Sequence, residues 1–196
     1  MDTERKLSEA EINELRDRWT TPEGESVRTR LLNDLRTKTT DWPEYLKDLP
    51  AVSVPAPYPA VLDDLRGLNL EGEDLRGFDL CYVDLSYARL NHCDASKIRL
   101  QGSLLNGTDF SHSNLHWADL LQVVALNANF ESCNLSNSMM MVGEFCTSSF
   151  KNASLVGSVL NNAKFNQADL TGTHFGDVEA YGALFPDGYI LKPNEP

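Results

Sequence analysis

Apolar side chains recur at every fifth residue in the second two thirds of the chain. "LRGLNLEGEDLRGFDL", residues 65 to 80, places leucine at 65, 70, 75 and 80. A helix repeats every 3.6 residues and a strand every 2, so neither generates this beat. From Leu65 through Phe185 the position holds Leu or Phe at 21 of 25 places, and Ala95, Ala125, Met140 and Ala180 fill the rest. The register never slips. Two residues before each large one (position i−2, with the large residue at i) a small side chain is preferred, as at Ala88, Cys93, Ser103, Ala118, Cys133 and Ala163. Position i−1 is often Asp or Asn, as at Asp74, Asp94, Asn114, Asp119 and Asn134. Repetition this regular predicts a solenoid, in which each unit buries its apolar face against its neighbours.

The units "ADLLQ", "ANFES", "CNLSN", "AKFNQ" and "ADLTG" resemble the A(D/N)Lxx repeat of pentapeptide-repeat proteins, and the likeness runs from residue 63 to about 187. The resemblance implies an all-β solenoid, a right-handed quadrilateral β-helix of about six coils. One pentad forms each side and twenty residues each coil. Residues i and i−2 point inward; i−1, i+1 and i+2 point out. In that register Leu115 stacks between Ala95 and Leu135. At ~4.8 Å between stacked strands the rod is roughly 30 Å long. Its two open ends need covers. Leu68, Glu73 and Phe78 are large for i−2 sites, which predicts a first coil distorted by a cap.

The N-terminal segment, residues 1 to 49, follows the helical period instead. "SEAE" is a capping box of Ser8 with Glu11, and Ile12, Leu15 and Trp19 follow on one face. A second helix starts near Pro22 and aligns Val27, Leu31 and Leu35, and "DWPEYLKDL" adds a short third turn. Residues 50 to 61 carry four prolines and predict an extended arm. Residues 62 to 188 form the solenoid. Residues 189 to 196 form a tail in which Tyr189, Ile190 and Leu191 are placed to close the last coil, and no C-terminal helix is expected.

Composition narrows the function. A net charge of −12 disfavours nucleic acid and anionic membranes as partners, since both select for Lys and Arg. The charged N-terminus lacks the apolar core of a signal peptide, and no apolar run is long enough to span a membrane, so the expected address is the cytoplasm. Cys81, Cys93, Cys133 and Cys146 form no CxxC pair and are expected as free thiols. His92 and His112 fall at outward positions one coil apart with His116 nearby. Such sites accept any polar residue, and no metal or other cofactor is expected. The column Asp74, Asp94, Asn114 and Asn134 resembles paired carboxylates, yet i−1 side chains are placed to bond nearby backbone N–H groups. No P-loop, GxSxG, HExxH or GxGxxG occurs, and the chain does not read as an enzyme.

The outward positions break their polar rule in one region. "LLQVVAL" and "MMMVGEF" set Leu104, Leu121, Val124, Leu126, Met139, Met141, Val142 and Val159 outward, so residues twenty apart should merge into one mid-rod apolar patch. The function expected is a non-catalytic protein–protein interaction or scaffold module. Its partner is a protein, including a second copy of the chain. The alternative, implied by the resemblance, is a DNA-mimicking binder of type II topoisomerase that protects gyrase from quinolones. The N-terminal stripes also need an apolar surface. They are expected to pack on Leu121, Val124, Met139 and Met141, with covering of the first coil as the rival arrangement.

Overall fold

The computed structural model describes residues 6–39, 42–54 and 62–191. Helix α1 spans Glu9–Asp17 and opens on the expected capping box, Ser8 N–H donating to Glu11 and Glu11 N–H to Ser8 Oγ. A 3₁₀ turn over Arg18–Thr20 leads into α2, Pro22–Thr37, whose N-cap Thr21 accepts from Gly24 N–H at 3.0 Å. Helix α2 ends where Lys38 turns left-handed at φ 59°. A short α3, Trp42–Tyr45, and a 3₁₀ turn, Leu46–Asp48, complete this unit. Of the proline arm, residues 55 to 61 lie outside the described residues.

From residue 62 onward the chain forms a β-helix solenoid. Strands β1, Asp63–Asp64, and β2, Val83–Asp84, pair in parallel, and isolated parallel bridges then join every i−1 residue to the one twenty positions on. These bridges form four columns. Backbone bonds run between coils on a fixed offset: Leu115 N–H donates to the Asn134 carbonyl at 2.7 Å, and Asn114 N–H to the Cys93 carbonyl at 2.9 Å. Every corner residue at i+2, from Gly67 to Gly182, has φ between 55° and 73°, the left-handed region. Glycine adopts it freely, whereas a β-branched side chain there is a genuine outlier.

The interior is the predicted one. Leu115, Leu120, Leu135 and Phe130 are fully buried. Phe110, Phe130 and Phe150 stack in one column at 5.3 and 4.8 Å, and Phe145, Phe165 and Phe185 in another at 5.3 and 5.6 Å. Hydroxyls at i−2 take up buried carbonyls: Ser103 Oγ donates to Leu80, Thr108 to Leu85 and Ser158 to Leu135. Cys93 and Cys133 use their thiols in the same way, towards the Leu70 and Phe110 carbonyls. A buried polar atom thus finds a partner at each of these places.

Two expectations are corrected. The helices do not pack on Leu121, Val124, Met139 and Met141; they cover the first coil. Trp19 Nε1 donates to the Arg66 carbonyl at 2.8 Å, Arg18 Nη2 reaches Asp64 at 2.8 Å, and Arg28 binds the Asn69 carbonyl at 2.7 Å. A Cβ on Gly67 would stand 2.5 Å from the Leu15 carbonyl oxygen, so only glycine admits α1 this closely. Trp19, Val27, Leu31, Leu35 and Trp42 join one apolar core with Leu65, Leu68 and Phe78. Nor is the first coil distorted, because its bonds keep the regular offset, as in Leu70 N–H to the Arg89 carbonyl at 2.8 Å. Its large i−2 residues serve the cap instead. Leu68 and Phe78 extend the core, and Glu73 binds Arg28 and Arg36 at 2.6 and 3.0 Å. At the other end Tyr189 stacks on Phe185 at 5.5 Å, but Ile190 stays exposed and residues 192 to 196 lie outside the described residues.

Candidate interaction surface

The polar rule at i−1 has a mechanism. Asp and Asn there turn the corner by accepting the N–H two residues on: Asp94 accepts from Ser96, Asn114 from His116, Asp119 from Leu121 and Asn134 from Ser136. The same amides bond between coils, Asn134 Nδ2 to Asn114 Oδ1 at 3.2 Å and Asn114 Nδ2 to Asp94 Oδ1 at 3.1 Å. The apparent carboxylate column is therefore structural. Leu104, Val124, Met139 and Val159 occupy i−1 positions without an oxygen to offer, and each forfeits that corner bond.

The outward apolar residues centre on Met139 and Val159. These two are neighbours in one bridge column. The corner following that face holds Leu121, Met141 and Val142, and the next face holds Val124, with Leu126 at its far corner. Met139 and Val142 are exposed, at 43% and 47%, while Leu121, Val124, Leu126, Met141 and Val159 are half-buried. Leu104 departs from the expectation. It is buried, held between Asp84, itself buried, and Val124 in the same column. Two residues missing from the sequence reading join the surface. Trp117 and Val156, both exposed, lie on the corner preceding the Met139 face. Their signal was the outward i+1 and i+2 register, unseen because each stands alone among polar neighbours. Val142 adds backbone strain, a β-branched residue at φ 58°.

The rim is acidic. In the Met139 column, Asp119 lies one coil below and Glu179 two coils above, and neither forms an ion pair among the described residues. Several other acids of the rod are matched: Asp74 with Arg76 at 2.6 Å, Asp79 with Arg99 at 2.5 Å, Glu144 with Lys164 at 2.6 Å and Asp169 with Lys151 at 3.1 Å. The Arg76 guanidinium holds the Asp74 carboxyl down to about 2.

His92 and His112 stack at 5.0 Å, and His116 Nδ1 lies 2.9 Å from Ser136 Oγ. Among the described residues no group of three His, Cys, Asp or Glu side chains is placed to hold a metal ion. The four cysteines are free thiols, and burial pushes Cys133 up to about 12 and Cys93 up to about 11, far from the thiolate form. No described helix is long and apolar enough to cross a membrane.

Comparison with known families matches "Pentapeptide repeats", eight copies, over residues 64–94, 90–124 and 145–185. Similar solved structures include the pentapeptide repeat protein Rfr23 of the cyanobacterium Cyanothece 51142, at 24% identity over 62% of this chain and 87% of that chain, TM-score 0.37. A pentapeptide repeat protein of the Arabidopsis thaliana thylakoid lumen has 23% identity over 55% and 68%, TM-score 0.37. QnrB1, a plasmid-mediated fluoroquinolone resistance protein, has 14% identity over 62% and 91%, TM-score 0.31. No curated protein matches. With the repeat matched over more than half of its 196 residues, this chain belongs to the pentapeptide-repeat family.

Proposed function

We propose that this protein is a non-catalytic interaction module. Residues 62–188 form a rigid right-handed, four-sided rod of about six coils, the helices between residues 9 and 48 cap its first coil, and the Met139 surface receives a protein partner. The observation that carries this reading is the cost of that surface. Met139 and Val159 give up a corner hydrogen bond, and Val142 sits in a strained backbone region, all within one apolar area. Asp119 and Glu179 at its margins favour a partner with an apolar centre and a Lys- or Arg-bearing rim. The test is affinity capture from the host, followed by titration of the captured protein, once purified, with the wild type and with Met139→Glu. Binding that weakens at least ~10-fold with unchanged circular dichroism supports the reading, since a central apolar anchor is worth that much. Equal binding by both overturns it.

A DNA mimic is the weaker reading. Duplex DNA over ~30 Å carries about eighteen charges. Residues 61 to 196 hold 17 acids against 8 bases, and Arg66, Arg76, Arg99, Lys151 and Lys164 each neutralise an acid in an ion pair. Gyrase supercoiling should proceed unhindered in the presence of the protein. Strong inhibition that weakens with added salt would reverse the ranking.

A further inference from the structure

In a chain of net charge −12, three guanidiniums line one cleft of about 420 Å³ between the cap helices and the first two coils. They belong to Arg16, Arg28 and Arg89, and among the described lining residues Glu25 is the only carboxylate, so the lining is net positive. Arg28 is committed to Glu73 at 2.6 Å and to the Asn69 carbonyl at 2.7 Å. The other two are not. Arg16 Nε donates to the Tyr87 carbonyl at 3.2 Å, which anchors the stem and leaves both Nη groups without a hydrogen-bond partner among the described residues. Arg89 forms neither an ion pair nor a side-chain hydrogen bond among them.

Every other arginine of the first two coils, Arg66, Arg76 and Arg99, holds a carboxylate. Arg16 is half-buried and Arg89 exposed; two like charges on one cleft repel each other, and an anion between them offsets that repulsion. Burial first, and Arg89 next, lower the Arg16 pKa, and Asp109, bridged to Arg89 one coil up, raises it in part. A guanidinium fork saturates the two oxygens of a carboxylate by itself, whereas a phosphate group offers three oxygens and nearly two charges to a pair of forks. We propose that this cleft binds a small anion bearing a phosphate group, held between the Arg16 and Arg89 guanidiniums. The site lies at the cap, apart from the Met139 surface, and does not depend on what that surface binds. A ligand there would tie α1 to the second coil, because Arg16 belongs to one and Arg89 to the other.

The test is thermal melting and calorimetric titration of the full chain with inorganic phosphate, glycerol 3-phosphate, succinate and sodium chloride at matched ionic strength. Both phosphates should raise the melting temperature by a few degrees at saturating concentration, while succinate and chloride should not. Arg89→Gln should weaken phosphate binding about tenfold or more, the loss expected for a charge-assisted hydrogen bond. Arg89 has no ion-pair or side-chain hydrogen-bond partner to lose among the described residues, so the unliganded variant should melt with the wild type. A phosphate shift no larger than that of chloride overturns the proposal, as does unchanged binding by Arg89→Gln. An equal response to succinate overturns the assignment to phosphate.

Discussion

The backbone N–H of Leu126 donates to Asn106 Oδ1, one coil below, at 2.9 Å. At many corners, as at Ser96, His116 and Ser136, the acceptor for such an N–H is the Asp or Asn two residues before it, but that position here is Val124. A neighbouring coil repairs the loss. Above Leu121 no such repair exists, because the N–H of Met141 follows Met139 and stands over a leucine, and it finds no acceptor among the described residues.

Met139→Asn should therefore stabilise the fold and weaken the function. The amide restores the corner bond for roughly 0.5–1.5 kcal/mol, the net worth of one hydrogen bond. Met139 is 43% exposed, so little burial is lost. Chemical denaturation should show a higher midpoint, and partner titration a weaker complex. Lower stability would show that Met139 packs for structural reasons.

Val142→Asn tests the strain. At φ 58° asparagine is favoured over a β-branched side chain, and Asn127, Asn137, Asn152 and Asn162 already hold equivalent corners. A gain of about 0.5–1 kcal/mol is expected, part of the usual left-handed penalty. An unchanged midpoint would mean that the chain relaxes around Val142.

Leu115→Ala should cost ~2–5 kcal/mol, the range for truncating a buried leucine. Leu115 is fully buried, and its neighbours Asn114 and Asp94 are bridged one coil apart, which sets it over the smaller Ala95. An unchanged melting temperature would contradict the twenty-residue register.

Acid should loosen the cap. Burial pushes the Asp64 carboxyl up, but hydrogen bonds and charge from Arg66 and Arg18 override it and hold Asp64 well below the usual carboxylate range. A depressed folded pKa contributes stability above the ordinary value near ~4 and loses it as pH falls through the folded value. Asp84, raised mainly by burial, acts in the opposite sense. The difference between wild type and Asp64→Asn isolates the first effect. That difference should be large at pH 7 and shrink as pH falls below about 4. A gap independent of pH would show that the Arg18–Asp64–Arg66 cluster is held by packing alone.

The solenoid was legible in the chain because its signal is strictly local and endlessly repeated. Each pentad declares its inward leucine or phenylalanine, its small i−2 residue and its turn-forming Asp or Asn, so errors at Leu68 or Ala95 are outvoted by neighbours. The helices were equally plain from the Ser8 box and the Val27, Leu31 and Leu35 stripe. Their docking site was not. Apolar burial is non-directional, so the stripe fits the open first coil and the Met139 surface alike. Directional bonds decided between them: Trp19 to the Arg66 carbonyl, Arg18 to Asp64, and a Gly67 that lets the Leu15 backbone approach. The same holds for the sites. The run around Val124 and Met139 announced an apolar surface, but Trp117 and Val156 joined it only where the coil brought their corner beside that face. Arg16 and Arg89 stand 73 positions apart in the chain, and no pattern links them. Only the close seating of α1 on the coil sets two cations without a carboxylate partner among the described residues in one cleft, because that contact is made in space by side chains whose partners lie elsewhere in the sequence.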